Sequence, residues 1–304
     1  MLIAQITDIH LGFEPETPGE FNRQRLDRTI ATICALDPQP KMLLATGDLI
    51  DRGDKGSYER LKEAFADVPF PVYMALGNHD ERANFSEVFP EYNFIDGFLQ
   101  YEIDTGPLRI LVLDTLEEGR HGGAYCEVRT AWLKARLDEQ PDRKTLIVQH
   151  HPPIEVGIPW MNTDPAEPWV HRLAGCLRDR KNVIGLVCGH IHRAVATHWE
   201  DLVVATCPST APQVALDLRP IDADVPDQRQ LIIADPPGYA LHWWNGRELI
   251  THWDTAEDHA VLARYDANLQ GMIQHMLAER PIPSEGVGTP TPTAAPNEVR
   301  QAAE

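Results

Sequence analysis

Five times within the first 192 residues, a short apolar run gives way to side chains that can bind a cation. Residues 2–7 lead into Asp8-Ile9-His10, and residues 43–46 into Gly47-Asp48. Residues 72–76 lead into Gly77-Asn78-His79-Asp80, residues 145–148 into Gln149-His150-His151-Pro152-Pro153, and residues 183–188 into Gly189-His190-Ile191-His192. Apolar runs of this length read as buried strands of a parallel sheet. In such sheets ligands bind at the carboxyl ends of the strands. A single Gly-Asp after a strand is as readily a turn; the weight lies in the repetition.

The intervening stretches supply the crossovers that parallel strands need. Leu26, Ile30 and Ile33 recur at helical spacing within residues 22–36. A second helix is expected over 57–66 with Ser57 as its N-cap, a third over 128–137, and a fourth around Val170, Leu173 and Leu177. Another apolar run, 108–113, ends in Asp114. The first 206 residues are therefore expected to form an α/β catalytic core. Residues 207–280 read as a β-rich segment that completes the fold and makes cap or oligomer contacts, and residues 281–304, rich in Pro, Thr, Ala and Glu, as a disordered tail.

Composition excludes several roles. A net charge of −19 repels a phosphate polymer, so long DNA or RNA is not expected as a partner. Five widely spaced cysteines with no Cys-x-x-Cys pair fit neither a disulfide framework nor a zinc ribbon. The N-terminus has no basic region ahead of an apolar one, and no run of about 18 apolar residues occurs, so a cytoplasmic protein without membrane contact is expected.

The strand ends together offer Asp8, His10, Asp48, Asn78, His150, His190 and His192. Mixed imidazole and carboxylate ligands suit iron, manganese, zinc or cobalt, and seven are too many for one ion. The i, i+2 spacing in Asp8/His10 and His190/His192 sends both members of each pair the same way. With its Asp-x-His, Gly-Asp, Gly-Asn-His-Asp, His and Gly-His-x-His motifs in order across residues 1–206, the chain resembles the calcineurin-like metallophosphoesterases. Within them it is similar to bacterial class III phosphodiesterases for cyclic nucleotides or glycerophosphodiesters.

The resemblance implies a four-layer αββα sandwich of two mixed sheets. It implies one metal on Asp8, His10, Asp48 and His192 and a second on Asp48, Asn78, His150 and His190, bridged by Asp48 and a water or hydroxide. It also implies that His79 contacts the phosphate and assists the leaving group. Asp51, Asp80 and His151 are expected behind the ligands, as is Asp114, while His121, His171, His198 and His275 lie in no motif and read as ordinary surface or helix residues. The expected reaction is metal-dependent hydrolysis of a small phosphodiester. A phosphomonoesterase or small-nucleic-acid nuclease on the same core is the alternative, and a regulatory module that binds metal or nucleotide without turnover is a third reading. Tyr239, Trp243, Trp244 and Trp253 read as core or subunit contact in preference to a base-stacking cluster, and a homo-oligomer is expected.

Overall fold

Strict alternation along the strands builds three apolar layers. β1 (Leu2–Ile6), β2 (Leu43–Thr46) and β3 (Val72–Ala75) run parallel, and β12 (Gly238–Trp244) and β13 (Leu249–Thr255) extend the sheet antiparallel in the order β13-β12-β1-β2-β3. The second sheet is ordered β4-β5-β6-β7-β9-β8, from β4 (Tyr101–Asp104), β5 (Arg109–Val112), β6 (Thr145–Val148), β7 (Val183–Cys188), β8 (Val195–Trp199) and β9 (Leu202–Thr206). Between β9 and β12, β10 (Gln213–Val214) and β11 (Ile232–Ile233) form a separate two-stranded ribbon. This is a computed structural model, describing residues 1–17 and 19–280.

Ala4, Ile6, Leu43, Ala45 and Met74 point to one side, where they meet Leu26 and Ile33 of α1 (Phe21–Cys34), Tyr58 and Leu61 of α2 (Lys55–Phe65) and Phe85 of α3 (Arg82–Val88). Ile3, Leu44 and Ala75 point to the other side and pack between the sheets on Ile110, Val112, Leu146, Val148 and Val187. The far face of the second sheet, with Leu111, Ile147 and Leu186, is covered by Leu133 and Leu137 of α4 (Glu127–Glu139) and Val170, Leu173 and Leu177 of α5 (Pro168–Leu177). Helix, sheet, sheet and helix make the four-layer sandwich expected. Each fully buried Leu or Ile contributes on the order of 1.5–3 kcal/mol.

One polar chain crosses the middle layer. Gln5 Nε2 donates to Thr46 Oγ1 (2.8 Å) and to the Cys188 carbonyl (3.1 Å), while its Oε1 accepts from His242 Nε2 (2.9 Å). His242 Nδ1 lies 2.8 Å from Thr251 Oγ1, and burial presses the pKa of this imidazole down to about 4. At the edge strand β3, the phenols of Tyr92 and Tyr101 donate to the Val72 and Met74 carbonyls, so part of that edge is capped.

Some local expectations shift. The N-cap of α2 is Asp54, whose carboxylate accepts from both the amide and the hydroxyl of Ser57, so the helix begins two residues before Ser57. The four C-terminal aromatics do not cluster as one group. Tyr239 joins the layer under α1–α3, Trp244 lies between the sheets, and Trp243 and Trp253 are largely at the surface. Residues 1–257 form one compact unit, and the described residues 258–280 belong to a second, which holds α6 (Ala267–Ala278), a helix with no buried residue. The tail expected from residue 281 lies outside the described residues.

Candidate metal centre

The carboxyl ends of β1, β2, β3, β6 and β7 converge, and the chain turns sharply after β1, β2 and β7. Asp8, His10, Asp48, His190 and His192 all have positive φ, between 46° and 70°. A left-handed residue with a side chain costs about 1–3 kcal/mol, and such strain concentrates at functional sites. It folds the backbone back so that these side chains turn into the crevice between the sheets. Gly77 has to be glycine, since a Cβ there would clash with Asp48 and stand 2.7 Å from His150 Nε2. Gly47, at φ +93°, is likewise pressed against the His150 ring.

Three imidazoles are oriented by oxygen acceptors at Nδ1. His10 Nδ1 lies 3.3 Å from Asp51 Oδ1, His150 Nδ1 is 2.8 Å from the Thr46 carbonyl, and His192 Nδ1 is 2.8 Å from the Pro212 carbonyl. A hydrogen on each Nδ1 leaves each Nε2 as a lone pair, the arrangement in which histidine binds metal. The lone pairs turn inward. His192 Nε2 is 3.4 Å from Asp8 Oδ1, His10 Nε2 is 3.6 Å from Asp48 Oδ2, and the His10 and His192 Nε2 atoms stand 3.2 Å apart. His150 Nε2 is fully buried, 3.3 Å from Asp48 Oδ2 and 3.9 Å from Asp8 Oδ1, without a hydrogen-bond partner. Two facing nitrogen lone pairs and an orphaned buried nitrogen, set against two buried carboxylates, fit a cation.

The electrostatics agree. Burial raises Asp8 to about 6, with the His150 charge opposing. Burial also acts to raise Asp48, yet the surrounding imidazoles, His150 first, hold it well below the carboxylate range. Burial alone would lower His150, but Asp48 and Asp8 raise it to about 9. The paired carboxylates thus draw positive charge into the crevice; with no cation there that charge is a proton on His150 Nε2, and a bound cation would take the proton's place. His192, pressed to about 4 mainly by burial, and His190, pressed well below the usual range, stay neutral with lone pairs available.

The remaining residues fall into place around this pair of carboxylates. His190, His151 and His150 bring ring nitrogens within 4.8 Å of one another. His190 also donates its backbone N–H to Asp8 Oδ2 at 2.9 Å. Asn78 is gripped at both ends of its amide: His151 Nε2 lies 3.2 Å from its Oδ1, and its Nδ2 lies 3.4 Å from His121 Nδ1. His79 donates its backbone N–H to Asp48 Oδ1 (2.8 Å) and its ring Nδ1–H to the Asp51 carbonyl (2.8 Å), with its ring edge-on to His10 at 4.5 Å. Asp80 ties two strand ends together, accepting from the amides of Gly77 (2.8 Å) and Leu49 (3.2 Å) and from the Tyr58 hydroxyl (3.0 Å).

Asp114 is a buried loop carboxylate; it takes Arg82 in a two-pronged pair and accepts the Leu99 and Leu116 amides. His121 is exposed, as expected of a surface residue, but it is not an ordinary one: its ring stands at the edge of the crevice, 4.7 Å from that of His190. It belongs to a loop with no ligand motif, so no signal in its own neighbourhood marks it. His171, His198 and His275 are exposed on α5, β8 and α6, as expected.

Beside the crevice a cavity of about 390 Å³ is floored by His10, Asp51 and His192 and walled by Phe13, Phe21 and Ile232. A larger one, about 750 Å³, lies by β3 and β4 against Tyr73, Tyr92, Tyr101 and Trp132, away from the histidines. The first is the one placed for chemistry.

The profile of the calcineurin-like phosphoesterases matches residues 1–194, through the last of the five strand ends. The chain belongs to this family. The phosphoesterase is 33% identical to the probable glycerophosphodiester phosphodiesterase GpdQ of Arcobacter nitrofigilis, over 83% of its own length and 92% of the relative's. It is also 33% identical to a probable cyclic nucleotide phosphodiesterase of Rhodopseudomonas palustris, covering 71% and 78% of the two chains. Among solved structures, a dimetal phosphatase from Danio rerio shares the fold with a TM-score of 0.56 at 15% identity, over 83% of this chain and 98% of that one. So does GAP50 of Plasmodium, described as an anchor in the inner membrane complex (TM-score 0.58, 14% identity, 95% and 99% covered). The fold thus carries more than one role, and function has to be argued from the site.

Proposed function

We propose that the phosphoesterase hydrolyses small phosphodiesters with two transition ions of iron, manganese, zinc or cobalt. One is held by Asp8, His10, Asp48 and His192, the other by Asp48, Asn78, His150 and His190. The observation that carries this is the set of inward Nε2 atoms of His10, His150 and His192 around the buried Asp8 and Asp48. When bound, the ions neutralise phosphoryl oxygens and bring the pKa of water toward neutrality.

The chain's own groups do the rest. Asp48, ionised and central, holds the His79 amide and so fixes the turn that carries the proton donor. Burial lowers the basicity of His79, but the Asp48 charge and the Asp51 carbonyl more than offset it and raise its pKa. With Nδ1–H committed to that carbonyl, Nε2 is the ring nitrogen that would carry a second proton to a leaving alkoxide. The cavity walled by Phe13, Phe21 and Ile232 supports a diester over a monoester, because it offers apolar room for a second ester group. Arg25, behind Phe21, is bonded to the carbonyls of Thr210, Ala211 and Asp235 and offers nothing to an anion there. The net charge of −19 supports a small substrate. The five free cysteines support a cytoplasmic setting.

The test compares metal-stripped protein with protein reloaded with manganese, cobalt or zinc. Substrates are bis(p-nitrophenyl) phosphate, p-nitrophenyl phosphate, cyclic AMP and glycerophosphoethanolamine. Activity is expected to vanish on stripping, return on loading and favour the diesters. Undiminished turnover after stripping removes the metal reading, and monoester rates at or above diester rates replace the phosphodiesterase with a phosphomonoesterase.

A further inference from the structure

Two imidazoles at the crevice take no part in the reaction above: His151, which holds the Asn78 amide oxygen, and His121, on the nitrogen side of the same amide. His79 leans on His10 at one flank, and His121 leans on His190 at the other. The loop that carries His121, between β5 and α4, is built tightly. Gly123 packs so closely on His151 that a Cβ would stand 2.8 Å from that residue's own Cβ. The Ala124 amide donates to the Thr115 carbonyl at 3.0 Å, and Arg120 pairs with Glu117 and Glu167. His121 Nδ1 accepts from Asn78 Nδ2, which places the ring hydrogen on Nε2.

A phosphoryl group arriving here meets few free cations. Arg82 is committed to Asp114, Arg25 to three backbone carbonyls, and Arg193 to the Val214 carbonyl. Arg52 is paired with Asp51, so beyond metal and His79 the grip on an anion falls to neutral donors.

We propose that the Nε2–H of His121 donates to a non-bridging oxygen of the bound phosphoryl group, on the flank away from His79, and so helps to set affinity for the anion. This rests on the phosphoesterase reading of the crevice. A hydrogen bond to a charged oxygen is worth about 10- to 100-fold in binding.

Full-length, manganese-loaded wild type is compared with His121→Phe, which keeps a ring against His190 without its nitrogens, and with His121→Gln, which keeps a donor. Three quantities are read: metal content, calorimetric binding of inorganic phosphate, and kcat and KM for bis(p-nitrophenyl) phosphate. In the Phe variant metal content is expected to match wild type, with phosphate binding and kcat/KM reduced about 10- to 100-fold. The Gln variant should recover most of both. Wild-type phosphate affinity in the Phe variant overturns the proposal. So does a loss of metal in that variant, which would make His121 a support for Asn78 and His190. If wild type hydrolyses no diester, the functional reading fails while the phosphate comparison still decides the role of His121.

Discussion

Asp48 and His79 are one hydrogen bond apart, yet their loss has different consequences. Asp48 is the carboxylate on which the His10 and His150 nitrogens converge, so Asp48→Ala should lower both bound metal and turnover. His79 touches the site through its backbone amide and presents its ring at the mouth. His79→Ala should keep its metal and lose about 10²- to 10⁴-fold for alkyl leaving groups, with a much smaller loss for p-nitrophenolate, which leaves without help. Metal analysis and rates on both substrate types check this; equal losses for the two leaving groups remove the proton-donor role. The chemistry of the proposed ligands was legible because each follows an apolar run. The left-handed backbone of five of them was not, because aspartate and histidine enter that region only occasionally and far less regularly than glycine, so their presence alone does not mark it. His121 stayed hidden because only the long loop after β5 brings it in.

At the level of elements, the apolar runs marked the buried strands, while the four layers came with the family resemblance; the structure supplies their reason, since successive side chains face opposite sides of a sheet and both faces are covered. Short pieces such as β4, β8 and α3 escaped because few of their residues are deeply buried. The His242–Gln5 link across β12, β1 and β7 gives this scale its prediction. His242 titrates at about 4 in the fold against an ordinary 6.5, because burial disfavours its charge. Its contribution is therefore complete above pH 6.5 and is lost as pH falls through the window down to 4, amounting to about 3 kcal/mol. His242→Gln cannot gain that charge. Urea melts should show the variant less stable than wild type at pH 7.5, with a shallower decline down to pH 4.5. Parallel declines would place the acid sensitivity elsewhere.

Across the whole molecule, a strongly acidic surface coexists with exposed Leu216, Leu218, Val225 and Ile232 in and beside the excursion between β10 and β11. Isolated apolar residues at a surface are ordinary; the homo-oligomer expected from the sequence is tested at this excursion. Light scattering should give a dimer or larger at micromolar protein, and Leu218→Asp with Val225→Asp should shift the mass toward the monomer. A monomeric wild type would refute the association. No described helix is long and apolar enough to cross a membrane.

The positive φ angles at Asp8, His10, Asp48, His190 and His192 also bear on inheritance. Asparagine and glycine adopt that geometry readily, whereas valine, isoleucine and threonine resist it. Point mutations that abolish catalysis without disturbing the chain are thus channelled toward a few replacements, and a descendant taking that route would retain the shape of the crevice after losing its reaction.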